Sequence, residues 1–325
     1  NQPINPDDSL PPVEPPSAAF LVQLFLVPGV IVAIIVCVWL AFHWLAHLGN
    51  DPQAYVRTLR RANEGRWQAA LNLANDLRGP NGSGLKADVK LASELGSILD
   101  DEVGSGRTGE QSETLRLYLC RALGEFSVPE AAPALVRRVN ANDDEPTTQA
   151  AIEAIAVLAT NLQKAGRSFE NRDDVVAAVL AATTSANSRV RDACGFTLGV
   201  LGGKRSIDGL LRLVGDPSAD VRSNAALGLA RLGQPDAYDT LSEMLALEDV
   251  YLDEKTPDDK MQSERYKRAL VVVNALRGIT MLIDATNEGP PSGIIKKIEE
   301  LQQDSVAEVR SSAKAVIKKI DRLAG

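Results

Sequence analysis

The sequence predicts an all-α protein, an α-solenoid of about six to seven stacked helical hairpins preceded by one transmembrane helix. Three observations support this prediction. An uncharged apolar run extends from Phe20 to Leu48, a motif with helical periodicity recurs through the remainder of the chain, and no long segment alternates like a β-strand. Aromatic residues make up only 4% of the chain, whereas Ala and Leu are abundant, as in proteins that pack helix against helix.

The first two elements are a tail and a membrane span. Residues 1–19 contain six prolines and almost nothing that could form a core, which predicts a disordered tail. A hydrocarbon layer of about 30 Å requires roughly 20 apolar residues in a helix, and the run from Phe20 to Leu48 exceeds this length. No basic residue precedes the run, whereas four arginines follow within residues 57–66. This asymmetry predicts an N-terminus outside and a cytoplasmic body.

Two histidines near the end of the span, His43 and His47, are four residues apart and therefore share one face of the helix. Two imidazoles can ligate haem or a metal ion, but no Cys, Asp or Glu lies within the same turn to complete a ligand set. We therefore expect no metal and no cofactor. These are the only two histidines in the chain, so the body has no imidazole for acid–base catalysis.

The body of the chain is close to neutral. The whole chain carries a net charge of −8, and residues 1–56 contribute −4 of it, which leaves −4 for the remainder. A slightly acidic surface is unsuited to a phosphate backbone, so we expect no nucleic-acid partner. The three cysteines form no CxxC pair and indicate free thiols in a reducing compartment.

A repeated motif organises the body. Its clearest copy begins at Asp216 and reads DPSADVRSNAALGLARLG. In each copy a turn rich in Asp, Asn, Ser or Pro precedes a helix with apolar residues at i, i+3, i+4 and i+7, and a second amphipathic helix follows. We expect Asp216 and Pro217 to start their helix, and Gly124, Gly202 and Gly233 to close theirs in a left-handed conformation. One hairpin cannot bury its own apolar face, so neighbouring hairpins must stack.

Aligned copies share one position near the start of the repeat helix. It is occupied by Arg116, Gln149, Arg191, Arg222, Arg268 and Arg310. Spacings between 31 and 46 residues fit one helical hairpin per unit with loops of variable length. We place the repeat array at residues 110–325 and an atypical capping repeat in the juxtamembrane region 49–109.

The repeat has the form D-x-x-x-x-V-R-x-x-A-A-x-A-L-G-x-L-G, which resembles the HEAT-repeat family and its HEAT-like subgroup first described in phycobilisome lyases. The matching residues of the clearest copy are Asp216, Val221, Arg222, Ala225, Ala226, Leu227, Gly228, Leu232 and Gly233. The resemblance implies the solenoid fold and says little about function. It also implies a structural ladder of arginines and carboxylates between successive repeats. The ladder residues would be Arg116, Arg191, Asp220, Arg222 and Arg310.

Two glycine-rich segments are similar to nucleotide-binding motifs. Gly104 to Gly109 fits the bare G-x-G-x-x-G string, and Gly79 to Lys86 is close to a P-loop but has Ala after its lysine. Both join helical stretches, whereas the G-x-G-x-x-G motif requires a preceding strand, so we interpret them as loops. No serine elbow or distinctive pair of acids is present in the sequence, and we expect no enzymatic activity.

An acidic segment at residues 248–259 interrupts the array between two repeats. Charged insertions are usually solvated loops, but exposed loops also carry binding residues, which makes this segment the candidate partner contact. The acidic residues concerned are Glu248, Asp249, Asp253, Glu254, Asp258 and Asp259.

The sequence favours a membrane-anchored scaffold or adaptor whose cytoplasmic repeats bind a protein partner next to the bilayer. We expect no small-molecule substrate. Two alternatives stay open. The chain could be an accessory subunit of a larger membrane complex, with the span as a contact, or, less favoured, a chromophore-lyase-like enzyme whose repeats shape a ligand groove.

Overall fold

A computed structural model describes residues 17–47, 52–61, 65–80, 82–141, 144–248 and 258–324. The chain divides into two compact units, Asn1–Asp51 and Pro52–Gly325. Within the described ranges there are sixteen α-helices and no β-strand. The predicted all-α fold class is thus confirmed for this part of the chain.

Helix α1 (Ala18–His47) belongs to the first unit. Its segment Val22–Phe42 is 21 residues long, carries no charge and has no buried part. At 1.5 Å per residue this segment is about 32 Å long, which matches a hydrocarbon layer of about 30 Å. Length and composition therefore suit a membrane span. Leu48, the last residue of the predicted span, lies outside the described residues.

The second unit consists of two layers of helices. The first layer contains α3 (Arg66–Arg78), α6 (Glu110–Gly124), α8 (Glu145–Lys164), α10 (Ser188–Leu201), α12 (Ala219–Arg231), α14 (Asp258–Thr286) and α16 (Ala307–Ala324). The second layer contains α2 (Pro52–Arg60), α5 (Val89–Gly104), α7 (Ala132–Ala141), α9 (Arg172–Ala182), α11 (Lys204–Leu213), α13 (Tyr238–Leu245) and α15 (Ser292–Leu301). The short α4 (Ser83–Lys86) lies between α3 and α5.

Successive helices of the first layer pack against one another, and each contacts a helix of the second layer. The described residues thus provide seven helices in each layer, which agrees with a solenoid of six to seven hairpins. The predicted capping region contributes α2, α3 and α5 to the same compact unit. The boundary proposed at residue 110 stays a prediction.

Helix α14 also contains a stretch, Lys260–Thr286, that is long and apolar enough to cross a membrane. Nearly half of its most apolar window is buried within the unit. Val272 and Ala275, for example, are fully buried. We therefore interpret α14 as a core helix of the array.

Three glycines were expected to close helices in a left-handed conformation. Gly202 and Gly233 do so, with φ angles of 65° and 69°. The expectation was wrong for Gly124, which is the last residue of α6. A Cβ atom at Gly124 would lie 2.9 Å from the carbonyl oxygen of Ala154 in α8. Glycine is needed here because the two helices approach closely.

The start of α12 also differs from the expectation. The helix begins at Ala219 with Ser218 as its N-cap, so Pro217 lies outside it. The Ser218 N–H donates to Asp216 Oδ1 over 2.8 Å. Asp216 therefore shapes the turn before the helix, because its short side chain can accept a hydrogen bond from the backbone two residues on.

Helices α10 and α12 pack almost backbone to backbone. A Cβ atom at Gly199 would lie 2.5 Å from the Cα atom of Gly228, and one at Gly195 would lie 3.2 Å from the backbone nitrogen of Ala225. Leu229, on the same turn of α12, is fully buried as its repeat position predicts. This close approach determines which side chains meet on the outer face of the first layer.

Candidate binding surface of the helical array

Three arginines of the first layer bind carboxylates in the turn before the next first-layer helix. Arg116 Nη2 lies 3.0 Å from Asp144 Oδ2. Arg191 makes two hydrogen bonds to Asp216, of 2.7 Å from Nε and 3.0 Å from Nη2. A third pair has the same arrangement, with Arg268 Nη2 at 2.7 Å from Asp304 Oδ2. Each pair therefore joins consecutive repeats through the planar guanidinium group.

Arg222 and Arg310 occupy the same repeat position but bind their own turns. Arg222 Nη1 donates to the carbonyl oxygens of Asp216 and Pro217, over 3.0 and 3.4 Å. Arg310 Nη1 donates to those of Asp304 and Ser305, over 2.6 and 2.9 Å. These bonds hold the turns in shape, so the ladder position has two structural uses.

The acidic member of the ladder was placed at the wrong residue. The carboxylate that pairs with Arg191 belongs to Asp216 in the turn, whereas Asp220 lies on the exposed part of α12. The physical reason is the position of each residue in the repeat. The side chain of a residue in the turn can reach back to the preceding first-layer helix, whereas the side chain of a residue within α12 points away from it. Of the four arginines named for the ladder, Arg116 and Arg191 bind a carboxylate of the next repeat as expected, whereas the expectation was wrong for Arg222 and Arg310.

Two of the ladder carboxylates, Asp216 and Asp304, have a lowered pKa. Hydrogen bonds from the Arg191 guanidinium lower the pKa of Asp216 and outweigh the effect of its burial. Burial alone would raise the pKa of Asp304, but hydrogen bonds from Arg268 and the Val306 N–H lower it. Because Arg191 and Arg268 each bind a carboxylate whose charged form is favoured, neither is a free anion site.

A buried carboxylate, Glu102, stabilises the first hairpins in the same way. Its side chain is 1% exposed and accepts hydrogen bonds from Arg66 over 2.6 Å, from Arg107 and from Ser112. Arg107 lies in the string Gly104–Gly109, which is the loop between α5 and α6. The G-x-G-x-x-G string is therefore an inter-helix loop, as predicted, and one of its residues neutralises a buried acid.

The outer face of the first layer carries a groove between α10, α12 and α14, with a volume of about 200 Å³. Phe196, Leu227 and Met281 give it an apolar lining, and Phe196 is 42% exposed. Arg231 and Arg277, which we call the groove arginines, add two exposed positive charges. The guanidinium carbon of Arg231 lies 5.5 Å from the centroid of the Phe196 ring, within the range of a cation–π interaction.

Acidic residues of the first layer lie on the N-terminal side of the groove, and Asp192 is only one helical turn before Phe196. Glu153, Asp192 and Asp220 are in the N-terminal halves of α8, α10 and α12. Burial raises the pKa of Asp192, and the charges of Asp220 and Glu153 add to this, against a hydrogen bond of 2.7 Å from Asn224. The face is therefore negative at the helix N-termini and positive at the groove arginines, as helix dipoles favour.

Other candidate groups have no reactive character or lie outside the described part of the chain. Burial raises the pKa of Cys120 and of Cys194 to about 12, so neither thiol is an activated nucleophile. The described residues hold no cluster of three metal-ligating side chains, and the side chains of His43 and His47 are not among those described.

The acidic insertion is described only at its start. Glu248 is exposed. Asp249, Asp253 and Glu254 lie outside the described residues, and Asp258 and Asp259 lie in the first turn of α14 without described side chains. Its role as a partner contact stays a prediction.

The groove residues were missed in the sequence, although the repeat alignment contains a signal. Phe196 and Leu227 are each five residues after a ladder arginine, and Arg231 and Arg277 are each nine residues after one. Positions four apart share a helix face. An apolar residue followed by an arginine at these two positions in adjacent repeats would have indicated a shared surface.

Fifty-three chains of solved structures match this one. An engineered protein is 17% identical, with 84% of this chain and 98% of that one covered and a TM-score of 0.37. The complex of CpcE and CpcF of phycocyanin lyase from Nostoc sp. PCC7120 is 18% identical, with 84% and 94% covered and a TM-score of 0.47. Human deoxyhypusine hydroxylase in complex with glycerol is 18% identical, with 83% and 96% covered and a TM-score of 0.32. At these values none of them bears on function.

No curated protein matches the chain. A family model described as HEAT repeats matches residues 175–253. This segment runs from α9 to the residues after α13, and it contains the Arg191–Asp216 pair and most of the α10–α12 side of the groove. Residues 175–253 are therefore similar to HEAT repeats.

Proposed function

We propose that this chain is a membrane-anchored scaffold: α1 inserts into a bilayer, and the helical array binds a protein partner beside the membrane. The observation that carries the proposal is the groove on the first layer, where an exposed aromatic ring lies next to two arginines. Exposed apolar groups with a polar surround are characteristic of interaction sites. A stack of repeats also offers an extended surface for a protein partner.

The anchoring half of the proposal rests on α1. None of the described side chains in its uncharged segment Val22–Phe42 is buried. Exposing so much apolar surface to water is unfavourable, so a bilayer is the favoured surrounding for this helix. The four arginines at residues 57–66 follow it, and only acidic charges precede it. Such asymmetry favours a cytoplasmic array.

The chemistry of the groove supports binding rather than turnover. Its charged lining residues are arginines, which do not exchange protons near neutral pH, and its other polar lining groups are amides. Its volume of about 200 Å³ is below the roughly 300–1,000 Å³ of pockets that enclose drug-sized ligands. A groove of this size accommodates a side chain of a partner.

Fractionation and co-purification test the proposal with three tagged chains: the full chain, residues 1–51 and residues 52–325. After alkaline carbonate extraction, the full chain should stay in the membrane pellet and residues 52–325 should be released. In mild detergent, a stoichiometric partner should accompany both the full chain and residues 52–325. A cytosol-dependent reporter fused after Gly325 should be active.

Each negative result contradicts a different part of the proposal. Release of the full chain by carbonate, or reporter activity only outside the cytosol, would contradict the anchoring or its orientation. A partner that follows residues 1–51 would instead identify a subunit of a membrane complex. The absence of any partner with the full chain would contradict the scaffold.

A further inference from the structure

We infer that the groove between α10, α12 and α14 binds an acidic peptide segment that carries one large apolar side chain. This inference rests on the proposed scaffold function and specifies the chemistry of its partner. Three properties of the groove support it: an open apolar lining, two arginines without a carboxylate partner among the described residues, and the placement of lining and arginines beside each other.

The apolar lining favours a ligand with an apolar side chain. Phe196 remains 42% exposed although the chain around it is well packed, and Leu227 and Met281 lie half-buried beside it. Covering such surface gains roughly 25 cal/mol for each Å² removed from water. A single aromatic or long aliphatic side chain fits the volume of about 200 Å³.

The groove arginines favour a negatively charged ligand. Arg116, Arg191 and Arg268 each bind a carboxylate within the chain. By contrast, Arg231 and Arg277 have no carboxylate partner in the part of the chain that the structure describes. A partner carboxylate can therefore pair with them without displacing an existing contact, and guanidinium groups bind carboxylates in a bidentate manner.

The position of Arg231 places positive charge directly beside the apolar lining. Its guanidinium group lies over the Phe196 ring, so a ligand side chain that covers this ring also brings its neighbouring carboxylates to the arginine. Nine residues after Arg310, the equivalent basic residue is Lys319, which is bound to Asp284. Unpaired positive charge at this repeat position is therefore confined to the groove.

The same charges argue against other occupants. A basic segment would be repelled by the groove arginines, and a nucleic acid would need a longer basic surface than two residues provide. Asp192 lies one helical turn before Phe196 and accepts a hydrogen bond from the groove-lining Asn224. Glu153 and Asp220 lie in the N-terminal halves of α8 and α12. An acidic segment therefore avoids repulsion if it extends from the groove arginines away from these three acids.

Peptide binding tests the inference on the full chain in nanodiscs of phosphatidylcholine. The probe is fluorescein-labelled Gly-Ser-Glu-Glu-Phe-Glu-Glu-Ser-Gly, followed by fluorescence anisotropy. Two comparison peptides replace its Phe by Ser or its four Glu by Lys. We expect the probe to bind at least about tenfold more tightly than either, because one buried ring or a few ion pairs amount to about that factor.

The matched variants are R231E/R277E and, as the control, R212E, which reverses an exposed arginine on α11. The double variant should weaken probe binding at least about tenfold and should reverse the preference for acidic over basic peptides. R212E should leave both unchanged. Circular dichroism checks that all three proteins remain helical.

Three results would overturn the inference: no probe binding up to about 1 mM, equal binding of all three peptides, or equal weakening by R231E/R277E and R212E. None of them alone overturns the scaffold proposal, which is tested separately by carbonate extraction, by the reporter and by co-purification. A partner that remains bound to the full chain while the probe fails would show that the array binds through another surface.

Discussion

Glu102 shows how a single residue supports this fold. Its carboxylate is almost fully buried and accepts hydrogen bonds from α3, from the α5–α6 loop and from α6. Burial would raise the pKa of Glu102, but the bonds from Arg107, Ser112 and Arg66 lower it to about 2. The charged form is therefore favoured in the folded state.

This pKa predicts how stability changes in acid. Because the folded value of about 2 lies below the ordinary value of 4.5, Glu102 stabilises the fold above pH 4.5 and loses this contribution as the pH falls towards 2. The contribution is on the order of 3 kcal/mol. Urea unfolding of residues 52–325 should give a free-energy difference between wild type and Glu102→Gln that is constant near neutral pH and shrinks below pH 4.5.

The exposed Glu113 provides the control. Glu113→Gln should differ little from wild type at any pH, because exposed charges contribute little. A difference for Glu102→Gln that does not depend on pH would contradict the role assigned to its charge.

At the scale of the element, the α10–α12 pair decides the geometry of the groove. Gly199 and Gly228 let the two backbones approach directly, which brings Phe196 of one helix under Arg231 of the other. Wider separation would leave the ring and the guanidinium group as unrelated surface groups. The glycines therefore connect the packing of the array to its candidate site.

Gly199→Ala tests this packing. A Cβ atom would lie 2.5 Å from the Cα atom of Gly228, so the helices must separate, and we expect a loss of about 1–3 kcal/mol in the free energy of unfolding. Gly293→Ala, in α15, is the control, since its Cβ would contact nothing within 4 Å and the helix propensity of Ala would help. If the two variants were equally stable, the close approach of α10 and α12 would be wrong.

The elements themselves could be predicted from local sequence, whereas their contacts could not. Helical periodicity and the repeated arginine position located the hairpins because both arise within about 15 residues. The partner of Arg191 depends on how the turn before α12 folds, so Asp216 was missed in favour of Asp220. The exposure of Phe196 depends on neighbours 31 to 85 residues away, Leu227 and Met281 among them, and no local pattern contains that information.

At the scale of the whole molecule, the chain combines an uncharged helix with a helical array of mixed charge. The net charge of −8 makes the two unpaired groove arginines a local exception. A partner tethered at a membrane meets a high local concentration of the array, so a small groove can contribute to a useful association. Anchoring and recognition are thus complementary parts of one proposal.

Site-specific photo-crosslinking in intact membranes tests the central claim most directly. The full chain would carry p-benzoylphenylalanine in place of Phe196, a conservative change at an exposed ring, or in place of Leu211, an exposed residue of the second layer. We expect irradiation to join one discrete protein to the chain modified at position 196 and none to the chain modified at position 211. Adducts that are absent at position 196, or equal at both positions, would contradict recognition through the groove.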